Sequence, residues 1–349
     1  LVPSLDNGLT FRATLANPFP DGLQQPAPVG LTTYLGRGIS YFPAYRPTPY
    51  LQRWNLSIQR QLGGRSLAEI TYMGSRTTRS PASRQMDPIP AQYLSVSYER
   101  DQRVIDYLSA QVANPFAPLP EFAGSGLAGV RVARSALLRP FPHFTSITTP
   151  DPVGFSWYHS LQARAEKRFS KGLLFMANYT WSKMMEAIAF LNDTDPMPHH
   201  VISTLDRPQR FTVSTLYELP IGKGRPVSTG ANRFAEAVFG QWQVQVIYQA
   251  QSGPPIGFGN ILFRGLLSDI VLPRDERRVE RWFNTDAGFE RNTARQLASN
   301  IRAFPLRLTG LRSPGDSYWN MSASKVFRAG ERWKAELRSD WEGAFNTPL

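Results

Sequence analysis

The 349-residue sequence contains no cysteine, which excludes a disulfide framework and any thiolate zinc site. It has no run of about 18 apolar residues, so no membrane-crossing helix is expected. No secretory leader is legible, and because the sequence opens on Leu1 rather than Met we read it as part of a longer or processed chain. Basic residues outnumber acidic ones, 39 to 27, for a net charge of +12, yet no basic run of five or more occurs. A nucleic-acid partner is therefore not expected. Scattered cations suit an anionic lipid surface or an anionic solute instead. What the sequence does have is 29 prolines, 26 glycines and 12% aromatic residues. The prolines and glycines fall between apolar-polar segments, a loop-rich all-β pattern rather than a disordered one.

The clearest segment is WQVQVIYQA. Trp242, Val244, Val246, Tyr248 and Ala250 alternate with Gln243, Gln245, Ile247 and Gln249. A helix would spread the glutamines around its circumference, whereas a strand gathers them on one face. The same alternation recurs in RWNLSIQRQL (Trp54, Leu56 and Ile58 on one side), SLAEITYMGS, YHSLQARAEKRF, GLLFMANYTWSK, RFTVSTLYELP and SYWNMSASKVF. In the last segment, RWKAELRSDWEGAF, the aromatic spacing of four fits helix and strand alike. Its seven neighbours decide for an eighth strand.

Short turns near Gly63, Lys171 and Gly330 (the RAGE segment) alternate with long aperiodic connections. These run roughly from Arg79 to Gly154, from Ala187 to Gln209 and from Ser252 to Asp316, with an intermediate one from Leu219 to Phe239. Long connections without structure are unusual in a compact soluble domain. Short turns at one end and long loops at the other are the habit of transmembrane β-barrels.

The two faces point the same way. In a soluble sandwich the apolar face is inside, whereas in a membrane barrel it is outside and the charged face lines water. Arg164, Glu166 and Arg168, and Lys334, Glu336, Arg338, Asp340 and Glu342, are the candidate lumen-facing residues, and ion pairs between neighbouring strands are expected there. Trp54, Trp181, Trp242, Tyr248, Trp319, Phe327, Trp333 and Trp341 are the candidate membrane-girdle aromatics, since a ring with one polar atom favours the lipid–water boundary. Eight residues, as from Trp333 to Trp341, span about 26 Å of strand. At a tilt of about 40° that is roughly 20 Å of height, near the apolar band of such barrels. The plainer alternative is that these aromatics form an ordinary soluble core. About eight strands are counted before the sequence stops at FNTPL with no final strand, so the expectation is an antiparallel transmembrane β-barrel segment with long extracellular loops, residues 1–349 being part of a larger barrel.

PYLQRWNLSIQRQLGGRSLAEITYMGSRTTR, YHSLQARAEKRFSKGLLFMANYTWSK, DRPQRFTVSTLYELPIGKGR, GQWQVQVIYQAQSGPPI and ERWKAELRSDWEGAFNTP, in that order, resemble the C-terminal barrel of Oar-like TonB-dependent receptors. The resemblance runs from about Asn17 to Leu349 and includes receptors abundant in Acidobacteria. It implies a bacterial outer-membrane location, a 22-stranded barrel, a plug and energisation by the TonB complex. The plug, the TonB box, the regulatory-like domain and a final aromatic-ended strand are not found in this sequence. The family's solutes are mostly unassigned, so no substrate-binding residue carries over.

Other constellations are weaker. His199, His200, Ser203 and Asp206 hold hydrolase residue types within one polar loop, but three triad residue types crowded into a loop seldom form the needed geometry. Asn192, Asp193, Thr194 and Asp195 offer oxygens without the glycine and bidentate glutamate of an EF-hand. IGKGR lacks phosphate-loop spacing, and GFGNILFRG lacks a βαβ context. The expectation is no enzyme, no cofactor and no metal. Partners would be outer-membrane lipid or lipopolysaccharide, the TonB complex and an unidentified solute. A non-transporting surface or adhesion barrel, or a soluble β-rich glycan-binding module, are the alternatives, and detergent dependence separates the soluble one.

Overall fold

The computed structural model describes residues 13–20, 30–228, 233–329 and 333–345. Eight long strands dominate: β1 (Tyr50–Leu62), β2 (Ser66–Gln85), β3 (Ser146–Ser170), β4 (Leu173–Ala187), β5 (Gln209–Glu218), β6 (Trp242–Gln251), β7 (Asp316–Ala329) and β8 (Trp333–Trp341). Each pairs antiparallel with its neighbour in sequence, giving one up-and-down sheet from β1 to β8. Gly38–Ser40 adds to β3 in parallel, and Val201–Ile202 adds antiparallel to β4. β1 and β8 are the two ends of the order, so the sheet does not close on itself.

Local chemistry sets the turns. Lys171 and Gly172 both take positive φ, 52° and 77°, between the paired Ser170 and Leu173. Two left-handed residues make the tight turn whose twist matches that of the flanking strands, and glycine fills the second place without strain. The β1–β2 turn is one residue longer, Gly63 to Arg65 between the paired Leu62 and Ser66, with Gly64 and Arg65 at positive φ (70° and 63°). Of the RAGE segment, Arg328 and Ala329 end β7, and Gly330 and Glu331 lie outside the described residues. Gly74, inside β2, has a packing role: a Cβ there would lie 2.3 Å from Nε1 of Trp54, so the indole needs the missing side chain to lie on the strand.

Two expectations change. The first long connection is shorter than expected because β2 continues to Gln85 and β3 begins at Ser146. Twenty and 25 residues at about 3.3 Å each make strands of roughly 65 and 80 Å, which must project beyond a membrane band of about 25 Å. The pair bends where its register shifts between Thr77 and Ala82, with Arg79 at φ 59°. The second change is that the long connections have structure. Residues 252–315 carry a small core of their own, with Ile270, Phe304 and Leu311 buried and Phe258, Phe263 and Phe289 packed on them. Pro255–Gly257 pairs with Arg307–Arg312 as a stalk that continues the β6–β7 hairpin. The first loop carries a helix, Gln102–Ser109, capped by the Asp101 carboxylate on the Val104 amide.

Candidate functional site

The register sorts the strand residues into two faces. Trp181 pairs with Leu161, Leu161 with Tyr72, and Tyr72 with Leu56. In the other direction Tyr179 pairs with Phe211, Phe211 with Ala250, and Tyr248 with Trp319. Cross-strand partners share a face, and the face alternates along each strand. Trp54, Trp181, Trp242, Tyr248, Trp319, Phe327, Trp333 and Trp341 therefore all lie on one face, with leucine, isoleucine, valine and alanine between them.

They fall in two rows. Trp242, Phe327 and Trp333 are at the turn end. Trp54, Trp181, Tyr248, Trp319 and Trp341 are at the loop end, where the Tyr248 and Trp319 rings sit 4.2 Å apart.

The opposite face carries Arg164 and Glu166 on β3, Asn178 and Thr180 on β4, Arg210 and Thr212 on β5, the β6 glutamines, and Lys334, Glu336, Arg338 and Asp340 on β8. Arg164 contacts Glu166 at 2.7 Å, Glu166 is 3.7 Å from Arg168, and Arg338 contacts Asp340 at 2.9 Å. All three pairs run along a single strand at a spacing of two. The expected cross-strand pairing is corrected for these groups: facing Arg338 is Ser324 and facing Arg164 are Glu69 and Asn178, so only Glu69 offers opposite charge. The β3 and β8 clusters are separated by four strands and form no common site. Glu342 lies in the turn after β8 rather than on the strand.

At the loop end, side chains from all three long connections interlock. Arg264 grips Glu99 through two nitrogens, at 2.5 and 2.6 Å, and also reaches Glu290. The Asn300 amide donates to the carbonyls of Ser97 and Glu99. Arg302 donates its amide to Oδ1 of Asn192 at 2.7 Å. Arg312 meets the buried Asp206, and Arg307 meets Glu186 at 2.6 Å. The hydrogen bond from Arg264 holds the Glu99 carboxyl below its ordinary range, and the Asn292 amide does the same for Glu290. Burial, followed by the Arg302 charge, pushes His199 down. Burial also lowers Arg302, whose guanidinium donates to the carbonyls of Phe258, Phe304 and Pro305.

The structure gives the remaining sequence candidates other tasks. The Ser203 hydroxyl donates to Glu186 at 2.5 Å, and Asp206 accepts from the Met184 amide and Arg312. The His200 ring sits against Phe155 and Trp157. Asp195 accepts from the amide and side chain of Asn192, closing that loop on itself. In IGKGR the Lys223 amide donates to Glu236 and Arg225 pairs with Glu218. GFGNILFRG supplies Phe258, Ile261 and Phe263 to the loop core.

Sequence reasoning passed over Lys325. Its partner across the sheet is Trp242, which places it on the aromatic face. It is 4% exposed, and its ammonium donates to the carbonyls of Glu236 and Gly240, capping the helix Arg233–Phe239. The only available signal was a lysine in phase with Trp319, Met321, Ala323 and Phe327.

No curated protein matches this chain. Among solved structures, the outer membrane transporter YddB from Escherichia coli is similar with a TM-score of 0.44 and 8% identity, over 90% of this chain and 31% of that one. This chain thus spans about a third of that transporter's length. The family model of the outer membrane beta barrel domain matches residues 2–349. Nearly the whole chain is thereby a member of the outer membrane beta barrel domain family, and its place is the bacterial outer membrane.

Proposed function

We propose that the protein is an energised outer-membrane receptor of the TonB-dependent, Oar-like kind, and that this chain supplies about eight strands of a barrel of about 22. In this reading the aromatic face meets lipid and the face of Arg164, Glu166, Arg338 and Asp340 meets water. The observation that carries it is the interlocking of all three long connections into one loop body at a single end of the sheet. A receptor needs such a fixed capture surface at the mouth of a wet path. Solute would bind there and pass after a plug is rearranged by the TonB complex. No catalytic step and no cofactor belong to this reading.

Lipopolysaccharide or anionic outer-leaflet lipid is the lateral partner. A groove of about 580 Å³ joins Tyr179 and Phe211 of the aromatic face to Arg274 and Arg277 of the third loop, an apolar wall beside guanidiniums that suit phosphate. The second reading is a non-transporting surface barrel whose loop body holds a partner, since the same interlocked loops would serve adhesion.

The two separate in the host cell. Deleting this gene and deleting the inner-membrane energiser are expected to abolish uptake of the same solute from a panel. A solute whose uptake needs this protein but not the energiser overturns energised transport. Loss of surface attachment with every uptake intact establishes the second reading.

A further inference from the structure

The connection between β5 and β6 leaves from the end of the sheet that otherwise carries tight turns, and it holds a helix, Arg233–Phe239. Two side chains of the aromatic face reach that helix. Nε1 of Trp242, the first residue of β6, donates to the Val238 carbonyl at 2.7 Å. Nζ of Lys325, the cross-strand partner of Trp242, donates to the carbonyls of Glu236 and Gly240 at 2.8 and 2.6 Å, and lies 5.3 Å from the centre of the Phe327 ring. The end of the helix is therefore laid against the aromatic face, at the row formed by Trp242, Phe327 and Trp333.

Spacing gives the helix two sides. Residues two apart on a helix lie nearly opposite each other, and residues four apart share a stripe. Glu236 is tied to the protein: its carboxylate accepts from the Lys223 amide at 3.0 and 3.1 Å and from Nε2 of Gln241 at 3.1 Å. Gly240 leaves room for that carboxylate, since a Cβ there would lie 2.6 Å from it. Phe234 and Val238, each two positions from Glu236, are 75% and 39% exposed, and the neighbouring Phe239 is 60% exposed. The IGKGR turn thus holds one side of the helix, while large apolar side chains are presented on the other.

Two features select lipid as what covers them. The apolar side continues the aromatic face, where Phe327 and Trp333 are exposed in the same row. The second feature is the fate of the carbonyls. The last carbonyls of a helix have no partner within it. Water serves them at a wet surface, whereas in lipid the protein must. Here the buried Lys325 ammonium and the Trp242 indole serve those of Glu236, Val238 and Gly240 from the aromatic face itself.

We infer that the helix Arg233–Phe239 is an interfacial anchor, with Phe234, Val238 and Phe239 entering a phospholipid leaflet to about 5–10 Å, just beneath the headgroups. The leaflet is the inner one, because the short turns of an outer-membrane barrel face the periplasm. Lys223, exposed on the turn that Glu236 holds, suits the phosphates of that boundary. The inference rests on the reading that the aromatic face meets lipid. It adds a contact made by a connection rather than by a strand, one that fixes the height of the β5–β6 hairpin in the membrane.

The protein, purified from its own membrane, is reconstituted in vesicles of phosphatidylethanolamine and phosphatidylglycerol. Nitroxides on Phe234→Cys and, separately, on Phe239→Cys report access to oxygen, which concentrates in lipid, and to a water-soluble nickel chelate. Val246→Cys on the aromatic face and Gln245→Cys on the opposite face are the references. Both helix sites are expected to give an oxygen-to-nickel ratio between those of the two references, at a depth of about 5–10 Å. Nickel access equal to that of Gln245 at either helix site, with Val246 in lipid, overturns the anchor and leaves the lipid-facing sheet standing. That is also the result if a periplasmic protein is what covers the helix. A helix site shielded from both reagents is packed on protein, a second copy included, and overturns the anchor as well. Val246 as wet as Gln245 removes the lipid-facing reading itself, and the anchor with it.

Discussion

Arg307, on the stalk of the third loop, sets Nη2 2.6 Å from Oε1 of Glu186 at the loop end of β4, both side chains being nearly buried. Glu186 also accepts the Ser203 hydroxyl, and Arg307 donates to the Ile202 carbonyl, so the pair ties two loops and a strand together. Removing one partner strands a buried charge. Arg307→Met is expected to destabilise this junction by about 3 kcal/mol, whereas Arg307→Met with Glu186→Gln recovers part of the loss. Hydrogen exchange at residues 201–206 in the two variants checks it, and equal protection would refute it.

The two sheet faces predict opposite tolerance to charge. Val246 lies on the aromatic face and its neighbour Gln245 on the other. Val246→Arg is expected to cost about 2–4 kcal/mol when the protein folds into vesicles, and Gln245→Arg close to nothing. Similar costs for both would mean that the aromatic face does not meet lipid. Lipids brominated along their chains are expected to quench the tryptophans of that face.

Acid is expected to loosen the loop body in two stages. His199 has a folded pKa below its ordinary 6.5, so the unfolded state binds the proton more readily and stability falls as pH drops below about 6.5. Glu99 and Glu290 are lowered from 4.5 and Asp101 from 3.8. Their contribution is present above those values and is lost as pH falls through the lower folded ones. Limited proteolysis of residues 86–145 and 252–315 is the readout, with the strands staying protected throughout. Cleavage independent of pH from 7 to 4 would contradict this.

Lys325 is expected to matter through the helix it caps. Lys325→Met keeps most of the volume but leaves the carbonyls of Glu236 and Gly240 without their donor. A loss of about 1–3 kcal/mol in local stability is expected, seen as faster amide exchange across residues 234–241 with β7 unchanged. Unaltered exchange there would show that the ammonium is dispensable.

Gly74 is expected to resist substitution although it sits in a strand. A Cβ would press on the Trp54 indole, so Gly74→Ala should cost about 1–3 kcal/mol through overpacking. Pairing it with Trp54→Leu should relieve most of that cost. Thermal unfolding of the single and double variants decides the point.

The sequence by itself determined the eight strands, their order and the sorting of Trp54 through Trp341 onto one face, because side-chain direction in a strand repeats every two residues and is written in neighbouring letters. Turn positions were equally local, resting on Lys171-Gly172 and Gly64-Arg65. The loops were beyond reach for the opposite reason. Phe258, Phe263, Phe289 and Phe304 have no common period, and they form a core only once the chain has turned back on itself. Lys325 looked like a misplaced charge until the helix brought its carbonyls alongside. Arg307 finds Glu186 from 121 positions away, and Arg264 finds Glu99 from 165. Contacts of that separation leave no mark on local spacing, so only tertiary structure could decide them.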